Sequence, residues 1–386
     1  MNLEERLRRA LGDPRESMPS EEKWRQLQIR LTHAGASGHM SRVVTIVFGL
    51  GLGIVAILLA VVALSPHESR EDSRALAPPS PHVEATLDLG VPLSDVESTG
   101  NVAWFLQLKR ELTASCGGNL VQVRADQDGI HQQAVVPIDG TPVAVAKSAN
   151  RLVFLAASCG PDPASAELLD IDPASGEVVR SLDIKGAGVP SDVAVNGSTA
   201  FIVWEHQGGG GTIVAVRVDT GEMIASANLE GRVANVDATT DAVWILDDGP
   251  DQGRLLKLDP STLAVVNSWN VGTSPAGLVV GSDGSAWVGG GDGLIRLRPE
   301  GDLVTVATTP GGPVPIGTDP LGIWYLGANP DSPGSIVSHL NERTSTTDVS
   351  LSLDVPLTAS TTNPPESTIW VASATETSTR IILIAY

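Results

Sequence analysis

Two cysteines, seven histidines and one tight group of aspartates are the residues of this 386-residue chain best equipped for chemistry. The histidines are dispersed. His33, His39, His67 and His82 precede the main body of the chain, and His131, His206 and His339 lie far apart within it. No H-x-x-E or comparable pair sets imidazole beside carboxylate, so the spacing assigns no catalytic residue and no metal centre. His33 and His39 lack neighbouring cysteines, which argues against a zinc module in the N-terminal tail. Asp247, Asp248 and Asp251 in LDDGPDQGR supply oxygens of the kind Ca²⁺ takes, yet the D-x-[DN]-x-[DN]-G spacing is missing and an acidic turn is the plainer reading. Gly208–Gly211 is followed by no Lys-Ser/Thr pair and reads as a turn rather than a phosphate loop. No cofactor is called for.

Composition narrows the partners. The net charge of −20 and pI near 4.6 repel a polyanion, which excludes general nucleic-acid binding. Forty glycines and 26 prolines are too many for a helical bundle and suit short strands joined by turns. An Ala, Gly, Val, Asp and Arg bias, with only five lysines among 25 basic residues, points to a bacterial chain.

Before any site can be placed, the chain divides. Val43 to Leu64, VVTIVFGLGLGIVAILLAVVAL, has no charge and no proline over 22 residues. At about 1.5 Å per residue a helix of that length spans roughly 33 Å, a bilayer's hydrocarbon core. The run is longer than a signal-peptide core and begins after 42 residues, so a single-pass anchor is expected rather than a cleaved leader. Basic residues near the span (Lys23, Arg25, Arg30 and Arg42 before it, Arg70 and Arg74 after) favour a cytoplasmic N-terminus. Residues 1–42 then form a cytoplasmic tail with two short helical patterns, on Leu3, Leu7 and Leu11 and on Trp24, Leu27 and Leu31. Gly49 and Gly53 have the spacing of a helix-pairing motif. Residues 65–82, charged and proline-rich, read as an extended linker. Residues 83–386 would lie outside the cell membrane.

That outer part repeats. An aromatic marks the second strand of each unit: Trp104, Phe154, Phe201, Trp244, Trp287, Trp324 and Trp370, spaced 37 to 50 residues apart. Proline leads most units, at Pro92, Pro142, Pro190, Pro275, Pro315 and Pro356. Two further strands follow each aromatic, as in LLKLD and AVVNSWNV around the turn DPSTL. Four short strands per repeat of this length are the period of a β-propeller blade, and seven marks predict seven blades. The last unit lacks its fourth strand, and an orphan strand of that type, VEATLDL, precedes the first. Val83–Leu89 is therefore expected to complete the final blade and close the ring. The seven aromatics are expected to fill the gaps between blades rather than to form a ligand platform. Cys116 (TASCGG) and Cys159 (AASCGP) follow the second strand in neighbouring units, so their loops share one face and a disulfide is expected outside the cytoplasm.

The units LLDIDPASGEVVRSLDI and LLKLDPSTLAVVNSWNVGTSPAGLVVGSDGSAWVGG resemble the YVTN or quinoprotein-like propeller repeats. The DG-x-x-W element is similar to NHL-type propellers and streptogramin lyases. The resemblance covers residues 83–386 and implies an all-β, seven-bladed propeller. An anchored propeller also resembles the sensor domains of some bacterial membrane kinases. The expectation is a ligand- or protein-binding module, with a protein or cell-envelope component as partner. A metal-assisted lyase or hydrolase of the streptogramin-lyase type is the alternative that the resemblance leaves open.

Overall fold

The structure is a computed structural model. It describes residues 80–108, 117–148, 151–159, 164–249, 252–291, 293–307, 312–329, 334–363, 367–374 and 378–386. The tail, the apolar span at 43–64, most of the linker, Cys116 and Asp251 fall outside the described residues. Among the described residues no helix is long and apolar enough to cross a membrane.

Seven four-stranded antiparallel sheets make up the fold. Blades 1 to 6 run in chain order from inner to outer strand over residues 93–138, 141–185, 189–229, 232–270, 275–307 and 314–353. Blade 7 is composite. Its inner three strands are Ala359–Asn363, Thr368–Ala374 and Thr379–Ala385, and its outer strand is His82–Leu89 from the start of the described chain. The register runs from His82 opposite Ala385 to Leu89 opposite Thr379. Asp88 and Arg380 pair across it at 2.8 Å. The Thr379 hydroxyl also accepts the Leu93 amide at 2.9 Å, tying blade 7 to blade 1. Closure removes the free inner edges that an open fan would present.

The repeat has local causes. In the turn before an outer strand, the Asp172 carboxylate accepts the amides of Ala174 and Ser175 at 2.9 and 2.8 Å. Asp259 does the same for Ser261 and Thr262, and the Ser261 hydroxyl at 2.6 Å, with these amides and the Thr262 hydroxyl, holds its pKa down to about 2. Gly176 (φ +77°) and Gly221 (φ +73°) then take the left-handed position. Blade 4 puts Leu263 there at φ 58°, where its buried side chain joins the core. The leading prolines also have a role. Inner strands bulge immediately after Pro142, Pro190, Pro275 and Pro315, so the missing amide falls where the ladder is already interrupted.

Seven apolar clusters occupy the seven gaps between blades. Trp104 packs with Leu152 and Phe154 of blade 2, Phe201 with Ile245 of blade 4, and Trp244 with Val288 of blade 5. Trp287 meets Ile323 and Tyr325, Trp324 meets Ile369, and Trp370 meets Phe105. All seven marker aromatics are at most 4% exposed. Trp204, outside that set, is equally buried and completes the gap between blades 2 and 3.

Candidate ligand-binding site

Strand register sorts the molecule into two faces. On one, the first residues of inner strands lie beside the last residues of second strands, as Val189 does beside Glu205. This is the loop face. The other carries the tight turns that join inner to second and third to outer strands.

A cavity of about 470 Å³ opens on the loop face between blades 3, 4 and 5. Its wall includes Ser191, Glu205, Arg232, Ala234, Asp248 and Pro275. Polar groups dominate it. Arg232 reaches Glu205 at 3.4 Å but is 69% exposed, so it can also turn to an incoming anion. Glu205 and Asp248 offer carboxylates to a cation or an amide. Behind this wall Asp247 is buried against the backbone of Gly231, where any side chain would collide with its carboxylate. Arg254 holds Asp247 with two hydrogen bonds, at 2.5 and 3.1 Å. Replacing Arg254 with Leu strips a buried carboxylate of the only cation paired with it among the described residues. The expected cost is about 3–5 kcal/mol, read as a lower midpoint in chemical denaturation, and Asp247→Asn in the same chain should restore much of it.

A set of inner-strand carboxylates was not apparent in the sequence. Asp95, Asp192 and Asp237 each accept the amide of the following residue and one amide from the next blade. The cross-blade partners are Val145, Val236 and Val280, at 3.3, 2.9 and 2.9 Å. They act as staples between inner strands 1 and 2, 3 and 4, and 4 and 5. The sole sequence signal was the S-D-V triplet at Asp95 and Asp192. Burial raises their pKa values to about 7, 7 and 6, with neighbouring carboxylates adding to the rise. Folding therefore takes up protons at these sites between pH 4 and 7, and the stability they contribute is lost as pH rises through that window. Thermal midpoints should fall from pH 5 to pH 8, and less steeply in Asp192→Asn; a midpoint that climbs over the same range would contradict the assignment.

The repeat-region histidines are not brought together. His131 sits on the outer strand of blade 1, 3.4 Å from Asp126. His206 contacts the Thr212 hydroxyl at 2.9 Å in blade 3. His339 is 2% exposed in blade 6, with Nδ1 2.7 Å from Asp348 and Nε2 3.4 Å from Asp319. Burial opposes its charge, but the two carboxylates outweigh that and raise its pKa. Asp319 also accepts the Trp324 indole N–H at 2.9 Å, and Trp324 contacts Tyr386 of blade 7 at 4.4 Å between ring centres. This is a structural network between blades 6 and 7. Among the described residues no group of three or more His, Cys, Asp or Glu side chains is placed to hold a metal ion, and Asp247 and Asp248 make no such group. Cys159 lies two residues beyond the second strand of blade 2, on the loop face.

No protein-family profile matches this sequence, and no curated protein matches it. Solved structures do. The WD40 β-propeller domain of Doa1 aligns with a TM-score of 0.57 at 13% identity, covering 78% of this chain and 96% of that one. The Neurospora crassa Pan2 WD40 domain gives 0.58 at 9% identity, with 79% and 95% covered. The Myceliophteria thermophila Cps50 (Swd1) β-propeller domain gives 0.57 at 9%, with 79% and 99% covered. The fold is a seven-bladed, WD40-like β-propeller. At these identities the likeness concerns the fold alone.

Proposed function

We propose that this chain is a membrane-anchored bacterial binding protein, whose propeller lies outside the cytoplasm and recognises a protein or cell-envelope ligand as a sensor or scaffold. The polar, mixed-charge cavity at the loop face of blades 3 to 5 carries the reading, because it concentrates adaptable hydrogen-bonding groups on a rigid ring. The uncharged run at 43–64 supports the anchor, with residues 1–42 in the cytoplasm. The D-P-x-[ST] turns support kinship with YVTN and NHL-type propellers. A Cys116–Cys159 disulfide belongs to the same reading and rests on the place of the two cysteines after the second strands of neighbouring units. In the chain-entropy model a loop of about 40 residues so closed contributes about 3–4 kcal/mol.

The test is to purify the full chain from its native membranes, as wild type and as Glu205→Lys, and compare what comes with it. A partner present with the wild type and lost with the variant is the expected result. Identical companions, or none, would remove the cavity from the account. Protease added to intact spheroplasts should degrade the propeller, and thiol alkylation should label cysteines only after reduction.

A further inference from the structure

Among the described residues eleven large apolar side chains are exposed, and all but Val135 and Val189 lie at the turn face. The densest are three pairs that open the outer strands of successive blades: Val178–Val179, Met223–Ile224 and Val265–Val266. Each blade presents its pair just after the turn into its outer strand, so the pairs sit at one height around the rim. Val179, Met223 and Val266 are 61%, 55% and 57% exposed, more than packing within the ring can explain.

The strands that carry two of these pairs keep one form of edge protection, a bulge at Ile224 and at Val266 beside their first residues, beyond which Ala225–Leu229 and Asn267–Asn270 pair in regular register. Met223–Leu229 (MIASANL) and Val265–Asn270 (VVNSWN) contain no charged residue and no proline, although each is the outermost strand of its sheet. Natural edges are normally blunted by lysine, proline or an inward charge as well as by bulges, and these two edges rely on the bulge alone. Acidic residues border the apolar pairs: Glu177 and Glu222 directly precede two of them, and Asp259 lies in the turn before the third. Arg217 partly offsets Glu222 at 3.3 Å. These turns stand beyond the apolar pairs, which sets the surface against a lipid bilayer. A net charge of −20 likewise sets it against a second copy of the chain.

We propose that the outer edges of blades 3 and 4 accept an added β-strand from a protein partner, an extended segment carrying apolar side chains and Lys or Arg. Main-chain pairing to the open edge supplies affinity, and the apolar pairs with their acidic borders supply selection. His82, which begins the outer strand of blade 7, enters at this same face. Strand addition itself does not depend on the anchored reading.

A photo-crosslinking residue placed at Ile224 or at Val266 of the full chain, in the cells that naturally make it, tests this, with Gln132 on the outer strand of blade 1 as the control. Both rim positions should crosslink to the same protein, through a segment that is apolar and basic. Met223→Lys combined with Val266→Lys should cut the Ile224 crosslink about tenfold, with the thermal midpoint unchanged. Crosslinks to lipid, to a second copy, or none above the Gln132 control would overturn the proposal. Glu205→Lys should leave these crosslinks intact, so failure at the rim and failure at the loop-face cavity are separately visible.

Discussion

Deleting residues 82–89 should cost the protein most of its stability, although the deletion removes no part of blades 1 to 6. The outer strand of blade 7 is supplied only by these residues, and its partner strand Thr379–Ala385 would become an unpaired edge of almost wholly apolar sequence. Leu89, 9% exposed, belongs to the cluster that fills the gap between blades 7 and 1, with Leu87 packed against it. Losing one buried leucine alone costs about 2–5 kcal/mol, and a strand's ladder goes with it, against a total stability of about 5–15 kcal/mol. The shortened chain is therefore expected to be largely insoluble when expressed, or to melt far below the intact protein. Equal solubility and an equal melting temperature would mean that the ring is not held shut by its first strand.

Trp204→Ala should be the most damaging single substitution in the core, at about 3–5 kcal/mol. The ring is fully buried between blades 2 and 3, among Leu155, Leu168 and Val193. Gly186 shows how closely it is enclosed: a Cβ there would fall 2.1 Å from the indole. The site cannot collapse readily because backbone forms one wall. Among the described residues its Nε1 finds no hydrogen-bond partner, so the loss counted here is one of packing. Urea unfolding followed by fluorescence of the remaining tryptophans would measure it, and a cost below about 1 kcal/mol would show that the gap repacks. Gly186→Val should be damaging for the complementary reason, by driving a side chain into that ring.

Trp204 also shows what the sequence made legible and what it concealed. The repeat marked Phe201 as the aromatic of its unit, because Phe201 keeps the register of the other six; Trp204, three residues on, had no counterpart to draw attention to it. Blade count and the composite last blade were legible because they rest on periodic features, the aromatic, the leading proline and the D-P turn. Those features are local, fixed by turn hydrogen bonds such as those of Asp172 and by the alternation of buried residues within each strand. The inner-strand carboxylates and the loop-face cavity are not local. Asp192 is an ordinary strand aspartate until blade 4 brings the Val236 amide to it across 44 residues. Glu205, Arg232 and Asp248 meet only because three second and inner strands end at the same height. The rim pairs stand between these cases. Their E-V-V and E-M-I spelling was readable in the sequence, but their exposure followed only once the outer strands were known.

Hydrogen–deuterium exchange of the full chain tests the central claim most directly, because it asks whether the start and the end of the propeller share one sheet. Amides of His82–Leu89 and of Thr379–Ala385 should exchange slowly and together, with protection comparable to the inner strands of the other blades. Exchange of residues 82–89 within seconds, while residues 379–385 stay protected, would show that the two ends are not paired and that the ring closes in some other way or not at all.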